Sequence, residues 1–166
     1  QAPIGAANEA EPMNCTIHPF AAALTALLFV TCTAQHAPQL HAGDKVPYPD
    51  GYRDFTHVKS MVIEEGHPLH AAFGGIHHVY ANPAALTGLK TGKYEDGAVF
   101  AFDLLAAERK DHAVVEGDRK GLGVMHRSAA AFPATGGWGF AGFADGKDVV
   151  GDMQQCYQCH ASQQAQ

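Results

Sequence analysis

Cys156-Tyr157-Gln158-Cys159-His160 constrains this chain more than any other run of residues. Two thiols three residues apart, followed at once by a histidine, form a C-x-x-C-H pattern. That spacing lets both sulfurs add across the vinyl groups of one haem while the histidine binds its iron. A zinc half-site would need a second ligand pair at fixed spacing. The remaining cysteines, Cys15 and Cys32, lie far upstream and do not supply one. The pattern therefore predicts one covalent haem c per chain, with Cys156 and Cys159 as attachment points and His160 as the metal ligand.

Phe20 to Val30 is a short apolar run interrupted only by Thr25. It has the size of a signal-peptide core and is short for a membrane span. Met13 is a plausible start, and Cys32-Thr33-Ala34 reads as a small-residue cleavage site. Residues 1–36 are accordingly expected to be an upstream extension and signal peptide. Residues 37–166 are expected to form a single c-type haem domain, long enough for one core. Thr31 before Cys32 fits a lipoprotein signal poorly. Export to the periplasm agrees with covalent haem attachment. The net charge is −6, and the chain stays mildly acidic once Glu9 and Glu11 are lost, which argues against nucleic acid as a partner. Nothing after the leader is long and apolar enough to span a bilayer, so no membrane association is expected after processing.

Gln35 to Pro49 has no hydrophobic period and reads as a flexible arm. The turn at Tyr48 to Gly51 opens a short helical turn through Tyr52 and Phe55. Val58 to Ile63, Ile76 to Ala81, Ala98 to Leu105, Leu122 to Ser128 and Gly137 to Phe143 read as strands. Asn82-Pro83 marks a helix start, since Asn caps and Pro suits the first helical position; that helix should run to about Lys90. Glu64 to Gly75 reads as a loop, Arg109 to Lys120 as a charged connection, and Asp145-Gly146 as a turn. Asp152 to Ser162 should form a final helix carrying the haem motif. The fold class is α+β, predominantly an antiparallel sheet with a few helices. A four-helix cytochrome would need four long amphipathic helices, which the glycines and β-branched clusters oppose.

From about Tyr48 to His160 the chain resembles the cytochrome P460 family, in particular its cytochrome c′-β branch. The resemblance rests on Ile76-His77-His78-Val79-Tyr80-Ala81-Asn82-Pro83 and on Thr91 to Val99. Gly117-Asp118-Arg119-Lys120-Gly121, Gly137-Trp138-Gly139-Phe140 and the terminal C-x-x-C-H complete it. It implies a homodimer with one c-type haem per subunit held against an antiparallel sheet. In hydroxylamine-oxidising members a lysine follows the Asp-Gly turn and is cross-linked to the haem. The matching position here is Phe102. The c′-β branch places phenylalanine there and adds a second, which by position is Phe73. His77 falls where the enzyme branch can carry a distal arginine. Arg127 is the cation expected near the haem or its propionates.

These residues set the functional expectation. Only Ala161 to Gln166 follow His160, which leaves no downstream methionine for a His/Met electron carrier; Met61, Met125 and Met153 read as core filler. A phenylalanine cap cannot ligate, donate a hydrogen bond or take a proton. Nitric oxide and carbon monoxide bind ferrous haem without needing a donor, whereas dioxygen gains much from one. Hydroxylamine oxidation would need a distal base. The expected function is a periplasmic cytochrome that binds nitric oxide and carbon monoxide, leaning away from an enzyme. A P460-type oxidoreductase acting on hydroxylamine or nitric oxide, or an electron carrier with a periplasmic redox partner, are the alternatives. Trp138 reads as a core aromatic. His77 and His78, adjacent on a strand, must point to opposite faces.

Overall fold

A computed structural model of the chain describes residues 37–144 and 153–162. The expected leader, the Asp145-Gly146 turn and Asp152 lie outside the described residues. Five antiparallel strands follow one another in the sheet in chain order. They are β1 (Thr56–Ile63), β2 (Gly75–Ala81), β3 (Val99–Lys110), β4 (Ala113–Arg127) and β5 (Trp138–Phe143). Among the described residues three helices accompany them, α1 (His70–Phe73), α2 (Pro83–Thr91) and α3 (Met153–Ala161), with 3-10 turns at Tyr52–Asp54 and Pro133–Thr135. The α+β class, the dominant sheet and the final helix with the C-x-x-C-H motif are as expected.

Alternation along each strand divides the sheet into two faces. Val99, Ala101, Leu122, Val124, Ala141 and Phe143 point to one face and build the larger core with Val46, Tyr52 and Phe132. This far face is closed by the segment that the sequence reads as a flexible arm. Val46 is buried there, and Ala37, Leu40 and Tyr48 pack against the same cluster. The Ser128 hydroxyl donates to the Leu40 carbonyl at 3.0 Å. The arm lacks a period because it packs as an irregular strap, which needs only a few apolar side chains and no regular hydrogen bonding.

The near face carries a second cluster of Ala81, Ala85 and Ala98, with Tyr94, Phe100 and Trp138 against it. Asn82 organises that end. Its side chain accepts from the amides of Ala85 at 2.9 Å and Val99 at 3.0 Å. It also donates to the Gly97 carbonyl at 2.8 Å. One buried amide thus caps α2 and fixes the entry of β3. Gly92 ends α2 at φ 74°, a left-handed value suited to glycine.

Two further expectations are corrected. Arg109 to Lys120 is not a connection but the outer part of a long β3–β4 hairpin, with Arg109 opposite Val114 and Lys110 opposite Ala113. The turn uses Asp111 and His112, both at positive φ. Residues 108–116 are exposed, so no hydrophobic alternation marks the strand. The Glu64 to Gly75 stretch, expected as a loop, contains the single-turn helix α1.

Candidate functional site

The haem motif lies on α3. Helical spacing puts Cys156, Cys159 and His160 on one side of it, since residues three and four apart are neighbours. Cys156 is half-buried and Cys159 exposed. α3 packs on β5 through Phe140, whose ring lies 6.4 Å from Tyr157 and 5.2 Å from His160, measured between centroids. Desolvation pushes the His160 pKa below its ordinary value. That favours the neutral imidazole, the form that binds a metal.

Phe140 points to the near face, and strand register shows what shares that face. Phe140 pairs with Met125, which pairs with Phe100. One row along, Gly142 pairs with Gly123, Gly123 with Phe102, and Phe102 with Val79. In the next row Gly121 pairs with Leu104, and Leu104 with His77. Between Phe140 and Phe102 the near face is therefore a floor of glycine, formed by Gly121, Gly123 and Gly142. A Cβ on Gly123 would stand 3.3 Å from the Phe102 ring. The floor has no side chains where a flat group could lie against it.

Phe102, Phe73 and His77 come together at the β2–β3 side of this floor. The Phe102 and Phe73 rings meet edge-on with centroids 6.4 Å apart, and the His77 ring lies 4.6 Å from Phe102. Phe73 ends α1 and is 43% exposed, whereas His77 is buried. The Nε2 of His77 bonds the main-chain carbonyl of Phe73. A carbonyl only accepts, so the proton sits on Nε2, and Nδ1 keeps a lone pair without a partner among the described residues. Burial lowers the pKa of His77 and keeps the ring neutral. His78 points to the opposite face, as strand alternation requires, and bonds Ser60 at 2.6 Å and Glu116 at 2.7 Å.

Arg127 lies on the near face at the far end of β4, opposite Trp138. It donates to the carbonyls of Tyr94 at 3.3 Å and Gly136 at 2.7 Å, and stacks 5.9 Å from the Trp138 ring. Its recorded partners are thus backbone carbonyls and an indole. Trp138 packs among Tyr94 and Phe100 as an aromatic of the smaller cluster. Met61 lies on the edge strand β1, 36% exposed, and Met125 pairs with Phe140.

A charged cluster on the far face escaped the sequence reading. Asp103, next to Phe102, is fully buried. It accepts from the Tyr52 hydroxyl at 2.7 Å and from Arg53 at 2.7 and 3.1 Å, with Arg119 3.8 Å away. Burial first, then the hydrogen bond to Asp103, pushes the Tyr52 pKa up to about 12. Phe140 and the glycine floor were also missed as site residues. The alternation Gly121-Leu122-Gly123-Val124 was their one available signal.

Compared with known proteins, residues 49–166 match the family model described as Cytochrome P460. No curated protein matches the chain. The match implies a c-type haem protein, and the residues present fit that group. Two thiols and an imidazole share one side of α3, and the glycine floor is a cradle in which an added Cβ at Gly123 would press on the Phe102 ring. Cys156 and Cys159 would hold the haem, and His160 would bind its iron.

Proposed function

We infer that this chain, which belongs to the cytochrome P460 family, is a periplasmic mono-haem cytochrome that binds nitric oxide and carbon monoxide. It carries one covalent haem, acts as a homodimer, and has Phe102 where hydroxylamine-oxidising members carry the lysine cross-linked to the haem. The observation that carries this reading is the Phe102 ring, flanked by Phe73 and by a neutral, hydrogen-bonded His77. The haem supplies a ferrous iron able to take up a diatomic gas. Phe102 and Phe73 offer that gas an apolar surface with no donor or base. His77 has spent its only N–H on the Phe73 carbonyl, so it has none to give a bound ligand. At the β5 side of the floor, Cys156 and Cys159 would hold the haem and His160 would supply a nitrogen for its iron.

The test is optical and chemical. Acid–acetone treatment should leave the haem on the polypeptide. The ferrous protein should be five-coordinate and high-spin, should bind both gases, and should turn over hydroxylamine poorly. A low-spin ferrous spectrum without added ligand would favour electron transfer instead. A strongly red-shifted Soret band would favour the cross-linked enzyme.

A further inference from the structure

The segment carrying Phe73 has little to hold it in place. α1 is a single turn with no side-chain cap and no buried residue. So short a helix is not stable on its own. Phe73 itself is 43% exposed, so burial of its ring fixes it only in part. Two side chains from the sheet reach this segment. His77, on β2, bonds the Phe73 carbonyl through Nε2. Lys120, on β4, donates to the next carbonyl, that of Gly74, at 2.6 Å. Immediately after them Gly75 adopts φ 135°, and a side chain there would run into the Leu105 carbonyl of β3. The chain is thus pressed against the sheet at Gly75 and tied at the two carbonyls before it.

We propose that His77 and Lys120 are positioning residues that grip the adjacent carbonyls of Phe73 and Gly74, hold the Phe73 ring against Phe102, and so set the gap through which a diatomic gas reaches the iron. The proposal rests on the gas-binding reading above and assigns His77 a structural hold in place of ligation. The two grips come from different strands, on either side of β3. Each removes one orphan carbonyl at the end of α1, where the helix has no further amides to offer. The ring of His77 also touches Phe102 directly, so one residue braces both phenylalanines.

The experiment is carbon monoxide association to the ferrous holoprotein after flash photolysis, in Phe102→Ala, Phe73→Ala, His77→Leu, His77→Gln and Lys120→Met. His77→Leu should speed association by up to roughly tenfold, the factor that one lost hydrogen bond of ordinary net strength allows. His77→Gln keeps an N–H for the Phe73 carbonyl but loses the ring against Phe102, and should fall between wild type and His77→Leu. Lys120→Met, a change at an exposed side chain, should move the rate in the same direction. His77→Leu combined with Phe73→Ala should be no faster than Phe73→Ala alone, since there is no ring left to misplace. Hydrogen exchange at the Phe73 and Gly74 amides should quicken in His77→Leu and Lys120→Met, a readout independent of the iron. If both phenylalanine variants leave association unchanged, the gas-binding reading fails. If those variants speed it but His77→Leu and Lys120→Met change neither association nor exchange, the grip is overturned. A switch from low to high spin on His77→Leu would also overturn it, by showing that His77 ligates the iron.

Discussion

The imidazole of His77 meets the ring of Phe102 edge-on, with centroids 4.6 Å apart and planes inclined at 73°. Two neighbouring strands thereby present one aromatic unit at the side of the glycine floor. Its polar atoms are neutral or committed to backbone.

Phe102→Ala should therefore change ligand entry before it changes anything else. Shrinking a half-buried ring on the near face leaves a cavity and destabilises the fold by about 3–5 kcal/mol at most. The ferric spectrum should gain the features of bound water, and association of carbon monoxide should accelerate. The His160 bond should be unaffected. If rates and spectrum both stay as in wild type, Phe102 is only a packing residue.

Gly123→Val tests the glycine floor. The first added carbon already stands 3.3 Å from the Phe102 ring, and the two methyl groups would occupy the floor itself. Overpacking of this kind costs about 1–3 kcal/mol. The sheet should survive by circular dichroism, while haem incorporation during maturation should fall and the Soret band shift. Normal incorporation with an unchanged spectrum would place the haem elsewhere.

Asp103→Ala should act on stability. It removes the acceptor for Tyr52 and Arg53 in a fully buried position. Leaving the Tyr52 hydroxyl without that acceptor should cost about 1–3 kcal/mol, read as a lower urea midpoint. Arg53 is more than half exposed and regains water, so it adds little. Gas binding at the iron should persist, because the side chain lies on the other face of β3.

Stability should also fall with acid. His77 and His126 are buried, and desolvation lowers both pKa values from the ordinary 6.5. As pH falls past 6.5 the unfolded chain takes up these protons and the folded chain resists. Folding should therefore be flat with pH above that value and weaken below it. Urea midpoints at about pH 7.5 and about pH 5 give the slope. His126→Gln should reduce it, and an unchanged slope would show that His126 binds protons equally in the folded and unfolded chain.

The five strands, the Asn82 cap and the final helix were legible because each has a local cause: apolar alternation, a capping residue followed by proline, a motif with fixed spacing. The outer half of the β3–β4 hairpin was not, because neither of its faces is buried and the pairing of Arg109 with Val114 leaves no pattern in the residues. The arm over the far face was missed for the converse reason. Val46 is buried and Leu40 half-buried by tertiary packing without any period. Among site residues, the C-x-x-C-H donors were readable directly. Phe102 and Phe73 were readable only through the family resemblance, since an isolated phenylalanine reads as core. Tyr52, Arg53, Asp103 and Arg119 are brought together across more than fifty residues of chain, and no local signal marks such a meeting.

Phe102 and Asp103 are consecutive, yet the pleat of β3 sends one toward the glycine floor and the other into the charged cluster beneath the strap. The charged anchor and the proposed ligand site thereby fall on separate sides of one strand. The residue at position 102 can be exchanged while Asp103 keeps the strand anchored from behind. On the proposed gas-binding reading, such a scaffold would change what it does at the iron by a single replacement without being rebuilt, which makes position 102 the natural place to re-engineer its reactivity.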